Sequence, residues 1–148
     1  MITKNQKIRR YCCFYVSDFH LEMILLPVIK NNINKSKIII FTETNLVDTI
    51  KILLERTNFN KEDKNKILNL KYWTNEKFEK LGNKGLEDCI VIINGSKKYI
   101  ENIENYINKL LCVKIDIVHC YDLNKNKYNI SEIKQNYNQV LNTTYGKI

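Results

Sequence analysis

The chain has 148 residues, 44% hydrophobic and 27% charged, with 24 basic against 16 acidic residues and a net charge of +8. That size fits one folded unit, taken here as residues 1–148 with a basic lead-in over about residues 1–9, and the well-spaced apolar runs exclude a disordered chain. The positive charge makes an anionic partner worth considering, but it is nearly all dispersed Lys, with Arg at Arg9, Arg10 and Arg56 alone, which argues against nucleic acid as the main partner.

In chain order, residues 10–16 read as a strand, 18–32 as a helix and 37–42 as a strand whose Ile38-Ile39-Ile40-Phe41 core is apolar on both faces. A helix over 45–57 follows, from the face set by Leu46, Val47, Ile50, Leu53 and Leu54. Residues 58–69 read as a short helix or an ordered loop, 68–72 as a short strand and 75–81 as a short helix. Residues 88–93 form a second doubly apolar strand, 97–110 a helix carried by Ile100, Ile103, Ile107, Leu110 and Leu111, 113–119 a strand and 131–141 a last helix. Asn45, Ser96 and the Asn129/Glu132 pair mark helix starts.

Five short strands alternating with helices, several apolar on both faces, predict a three-layer, doubly wound, mainly parallel α/β sheet. The Rossmann-like order 3-2-1-4-5 and the flavodoxin-like order 2-1-3-4-5 both fit, and the sequence does not choose between them. No apolar core with a cleavage site follows the basic start, and the longest apolar stretch, residues 23–29, is far short of a bilayer span. Cys12, Cys13, Cys89, Cys112 and Cys120 lie in or beside apolar runs without C-x-x-C spacing, the pattern of reduced buried thiols. A cytoplasmic location without secretion signal or membrane span is expected.

Ligands of such folds bind beyond the carboxyl ends of the strands. That rule collects Ser17, Asp18 and His20, then Thr42, Glu43, Thr44 and Asn45, then Trp73, Thr74 and Asn75, then Asn94, Gly95, Ser96 and Lys97, and finally His119, Cys120, Tyr121 and Asp122. Ser17 and Asp18 also suit a helix cap, with Asp18 and Glu22 placed well for the helix dipole. Asn94-Gly95-Ser96-Lys97 is the phosphate candidate, a strand-to-helix turn with amides and a lysine, though it is no Walker A motif. Asp18, His20, Glu43 and His119 are the acid–base candidates, and Ser17, Thr42, Asn94, Gly95, Ser96, Lys97 and Asp122 the ligand-binding ones. Alternation groups His119 with Tyr121, or Cys120 with Asp122, so His119 and Cys120 make no dyad. Asp18, His20, Glu43, His119 and Asp122 are suitable metal-ligand types, but no local spacing supports a metal, so no metal site is assigned and the cofactor is unknown.

The first helix is apolar nearly all round, and Pro27 inside it predicts a kink or break. Met23, Leu26 and Pro27 are therefore the expected interface of a homodimer, the alternative being a helix buried between neighbours. The function these features favour is a non-catalytic binding or regulatory module for a small anionic ligand or a protein partner. The alternatives are an enzyme, hydrolase or transferase, acting on a nucleotide or phosphorylated small molecule at the carboxyl edge of the sheet, and a nucleic-acid-binding protein.

Overall fold

The computed structural model describes residues 7–70, 89–107, 114–125 and 127–142. The elements run β1 (Lys7–Tyr15), α1 (Asp18–Asn32), β2 (Lys37–Thr42), α2 (Val47–Glu55), α3 (Lys61–Leu68), β3 (Cys89–Asn94), α4 (Lys97–Ile107), β4 (Lys114–Asp122), α5 (Ile130–Lys134) and β5 (Gln139–Val140). The strands pair in the order β2-β3-β4-β1-β5, every pair parallel. This is the predicted class, a three-layer α/β sandwich, with a strand order that is neither of the two considered.

Period two divides the core into two layers. Tyr11, Cys13, Ile38, Ile40, Ile90, Ile92, Val118 and Cys120 face α1, α2 and α3; Cys12, Ile39, Phe41, Val91, Ile93, Ile115, Ile117 and Tyr121 face α4 and α5. Both faces are covered, so all six residues of β3 and five of the six in β2 are buried, as their continuous apolar runs require.

The greasy circumference of α1 has the same origin. One side lies on the sheet and another on α2 and α3, burying Leu21, Ile24, Leu25, Leu26, Val28 and Ile29. Leu26 is only 3% exposed, so it packs inside the protomer and not on an interface; Pro27 is half-buried, and of the three expected contact residues Met23 alone is exposed, at 48%. Nor does Pro27 break the helix, which runs unbroken from Asp18 to Asn32. The bond lost at the Met23 carbonyl falls on this exposed side, where water can replace it.

The choice left open over 58–69 is resolved, and two other expectations are corrected. The segment 58–69 holds α3, capped by Asn60, whose side chain accepts the Asp63 N–H. The described part of the strand expected at 68–72 is not extended, since Leu68 closes α3; its remainder and the helix expected at 75–81 lie outside the described residues. The helix expected at 131–141 is α5 followed by β5: Asn138 N–H donates to the Arg10 carbonyl at 2.7 Å and Leu141 N–H to the Cys12 carbonyl at 2.8 Å. Extended backbone there pairs an otherwise open edge of β1, and it sends Leu141 to one core layer and Val140 to the other.

Candidate functional site

The chain leaves β1 and β2 toward the layer of α1–α3, and β3 and β4 toward the layer of α4 and α5. Connections therefore diverge between β2 and β3 and again between β4 and β1, the places where a parallel sheet opens a crevice. Register adds a step: Asn94 ends β3 opposite Cys120, whereas β4 and β1 run two residues further, to the pair Asp122 and Tyr15. Above this step lies a cleft of about 260 Å³ lined by residues of all four strand ends, among them Tyr15, Glu43, Thr44, Asn94, Ser96 and Asp122. Trp73, Thr74 and Asn75, also expected at this edge, lie outside the described residues.

The floor of the cleft is a closed polar network. The Tyr15 hydroxyl donates to Asn94 Oδ1 at 2.6 Å, and Asn94 Nδ2 donates to Thr42 Oγ1 at 3.1 Å; Thr42 in turn donates to the Thr44 carbonyl at 2.8 Å. Burial raises the Tyr15 phenol well above its ordinary range, so it remains a neutral donor. Beside it, the Ser96 N–H donates to Glu43 Oε1 at 2.6 Å, and Ser96 Oγ caps α4 by accepting the Tyr99 N–H. A Cβ on Gly95 would meet Glu43 Oε1 and Tyr99 Cδ2 at 2.5 Å each, so glycine is what lets the carboxylate reach this turn. At the turn Asn94-Gly95-Ser96, the phosphate candidate, the Ser96 amide already serves the chain's own carboxylate, whose charge an incoming phosphate would meet. With Asp122 also lining it and, among the described residues, one ammonium, Lys125, 4.0 Å from Asp122, the cleft is suited to hydroxyl and amine donors more than to anions.

The four acid–base candidates do not converge. Ser17 Oγ caps α1 by accepting the His20 N–H, His20 Nδ1 accepts the Val16 N–H at 3.1 Å, and Asp18 is exposed in the first helical turn. Glu43 stands over β2 and β3. His119 is not at a strand end at all, because β4 continues to Asp122; it is 6% exposed and points with Tyr121 into the α4–α5 layer, as alternation groups them. Among the described residues no set of three or more His, Cys, Asp or Glu is placed to hold a metal ion.

On that second face a cavity of about 330 Å³ lies between the start of α4 and the segment from β4 through α5. Lys97 and Lys127 reach it from different elements, Tyr121, Tyr128 and Tyr137 form much of its wall, and among the described residues Glu132 is its one carboxylate. Among the described residues neither ammonium stands within ion-pair distance of a carboxylate. Tyr121 stacks on Phe14 at 5.5 Å between centroids and meets Tyr128 edge-on at 5.1 Å, so the wall is a cluster of packed rings.

Behind the wall runs a polar chain. The Tyr121 and Tyr137 hydroxyls are hydrogen-bonded, the Tyr137 hydroxyl lies 2.5 Å from His119 Nδ1, and His119 Nε2 lies 2.7 Å from Glu104 Oε1 without the geometry of a hydrogen bond. Glu104 also accepts from Arg10 Nε at 3.1 Å and Nη2 at 3.3 Å. The contact with His119, helped by Arg10, holds the Glu104 carboxyl down to about 2 against the cost of burial. Sequence reasoning missed Glu104, Tyr137, Arg10 and Lys127. Glu104 had a signal, a carboxylate at i+4 from Ile100 and i−3 from Ile107 inside an apolar stripe; Tyr137 had none while its segment read as helix.

No protein-family model, curated protein or solved structure matches the chain.

Proposed function

We propose that the chain is a binding module for a small anionic ligand of nucleotide size, held in the cavity between α4 and the β4–α5 segment. The observation that carries the reading is the convergence of Lys97 and Lys127 on a cavity walled by three tyrosines. Two ammonium groups without carboxylate partners among the described residues leave positive potential to attract an anion, and tyrosine faces offer stacking to a planar group beside it. The volume is at the low end of ordinary ligand sites, which suits one nucleotide or a comparable metabolite. Buried reduced thiols at Cys12, Cys13 and Cys120 support a reducing, cytoplasmic setting, and no described helix is long and apolar enough to cross a membrane.

The test is a nitrogen-15 NMR titration with adenosine 5′-monophosphate and, separately, inorganic pyrophosphate. The expected result is saturable shifts of Lys97, Lys127, Tyr121 and Tyr128, with affinity reduced about tenfold or more when both lysines become alanine, equivalent to roughly 1.4 kcal/mol. Absence of shifts at these residues up to millimolar probe would overturn the assignment.

A second reading, self-association, rests on a separate observation. Phe19 and Met23, one turn apart at the start of α1, and Val16 just before it are apolar yet exposed at 42%, 48% and 49%. A homodimer through these residues predicts a dimer mass by light scattering, and a monomer when Phe19 and Met23 are both replaced by lysine. A wild-type monomer at 100 μM, on the order of ordinary assay concentrations, rejects it.

A further inference from the structure

The cleft at the strand ends and the cavity beside α4 share a border. Tyr128 belongs to the wall of both. At the start of α4, Ser96 lines the cleft and Lys97 the cavity; at the end of β4, Asp122 lines the cleft and Tyr121 the cavity, since alternation turns neighbouring strand residues to opposite faces. Consecutive Cα atoms are about 3.8 Å apart, so at both places one step of the chain leads from one space to the other.

The two spaces differ in chemistry. The cavity offers the ammonium groups of Lys97 and Lys127, whereas the cleft offers the carboxylates of Glu43 and Asp122 above the network of Tyr15, Asn94 and Thr42. One backbone amide holds each carboxylate: Glu43 Oε1 accepts the Ser96 N–H at 2.6 Å and Asp122 Oδ1 the Asn124 N–H at 2.9 Å. Among the described residues Glu43 Oε2 and Asp122 Oδ2 accept no hydrogen bond, and Asp122 Oδ2 has Lys125 Nζ at 4.0 Å. An ionised carboxylate has roughly four acceptor positions, so both retain capacity for donors from a ligand. Neutral hydroxyls suit them better than an amine, whose charge would meet Lys125, and better than a second phosphate, which would meet Glu43 and Asp122.

We infer that cleft and cavity form one bipartite site for a nucleoside diphosphate esterified to a sugar. The nucleotide lies in the cavity against the tyrosines with its phosphates at Lys97 and Lys127, and the sugar passes Tyr128 into the cleft, where its hydroxyls donate to Glu43 and Asp122. The inference rests on the anion-binding reading of the cavity and narrows its ligand to a nucleotide with a neutral, hydroxyl-rich second group.

The test titrates the whole chain with adenosine 5′-diphosphate and with adenosine 5′-diphosphoribose, which adds a ribosyl group and carries less negative charge, so that lysines alone would give it no advantage. Both should shift the amides of Lys97 and Lys127. The diphosphoribose alone should also shift Thr44, Gly95 and Asp122 and bind about tenfold tighter, the size of one hydrogen bond to a charged group. The double variant Glu43→Gln, Asp122→Asn keeps acceptors for the Ser96 and Asn124 amides; it should lose that gain and retain the affinity for the diphosphate, which also shows that it is folded. Asp122→Asn alone leaves the α4 turn untouched and should lose part of the gain, which keeps the inference refutable if the double variant does not fold. Equal affinities without shifts in the cleft, or a gain that survives these substitutions, overturn the bipartite site and leave the anion-binding reading standing. Absence of shifts at Lys97 and Lys127 with either probe rejects that reading, and the bipartite site with it.

Discussion

Glu22→Gln isolates the cost of a buried charge. Glu22 lies on α1 with 0% of its surface exposed, Oε2 against the Thr49 hydroxyl of α2 and Oε1 without a hydrogen-bond partner. Thr49 Oγ1 donates to Oε2, but its hydroxyl also reaches the Leu46 carbonyl at 3.1 Å, so its single proton is shared and the buried carboxylate is poorly compensated. Burial pushes the carboxyl from 4.5 up to about 7, with the nearby Asp18 adding to the rise and the Thr49 bond opposing it. Because the folded state holds the proton more tightly, the contribution of Glu22 to stability is full below pH 4.5 and lost as the pH rises through about 7. The displacement is worth about 3 kcal/mol. A glutamine amide in its place keeps the shape and a polar contact with no proton to lose. Urea unfolding at pH 4.5 and pH 8 should therefore show the variant gaining on the wild type by about 3 kcal/mol at the higher pH. Glu104 changes in the opposite sense, its contribution present above pH 4.5 and lost as the pH falls toward 2, but it is common to both proteins and cancels in the difference. A difference between the two proteins that stays constant from pH 4.5 to 8 would refute a buried, proton-holding Glu22.

Tyr15→Phe removes the donor to Asn94 Oδ1 in a buried network and should cost about 1–3 kcal/mol in the same unfolding assay; a neutral result would mean that water replaces the hydroxyl. Gly95→Ala forces the Glu43 carboxylate and the Tyr99 ring away from the start of α4, with an expected loss of about 1–2 kcal/mol by thermal melting, and an unchanged Tm would show that both side chains yield freely. Burial pushes the Cys12 thiol up to about 12 and the Cys120 thiol higher than its ordinary value, so alkylation at pH 8 should proceed at Cys12 and Cys120 only on unfolding; rapid labelling of the native chain at either position would contradict their burial.

Local pattern carried most of the architecture. The bounds of α1 and β2 are those read from periodicity, and Ser17, Asn60, Ser96 and Asn129 cap helices because short polar side chains compete well for free amides. Binary pattern also announced the two covered faces, since runs such as Ile38 to Phe41 cannot be left half in water. Other matters depend on groups far apart in sequence. Strand order places β4 and β3 between β1 and β2, and it was not legible because alternation says which face a side chain takes and nothing about which strand lies alongside. Leu26 looked like surplus apolar surface until α2 and α3 covered it, and Glu22 looked like a dipole partner until the same packing buried it. A parallel sheet between two helical layers follows from hydrophobic period, which is a local property of the chain. That Glu43 occupies the α4 turn, and that Glu104, His119, Tyr137 and Tyr121 meet, follows from no local pattern, because those contacts join residues of separate elements that only packing brings together.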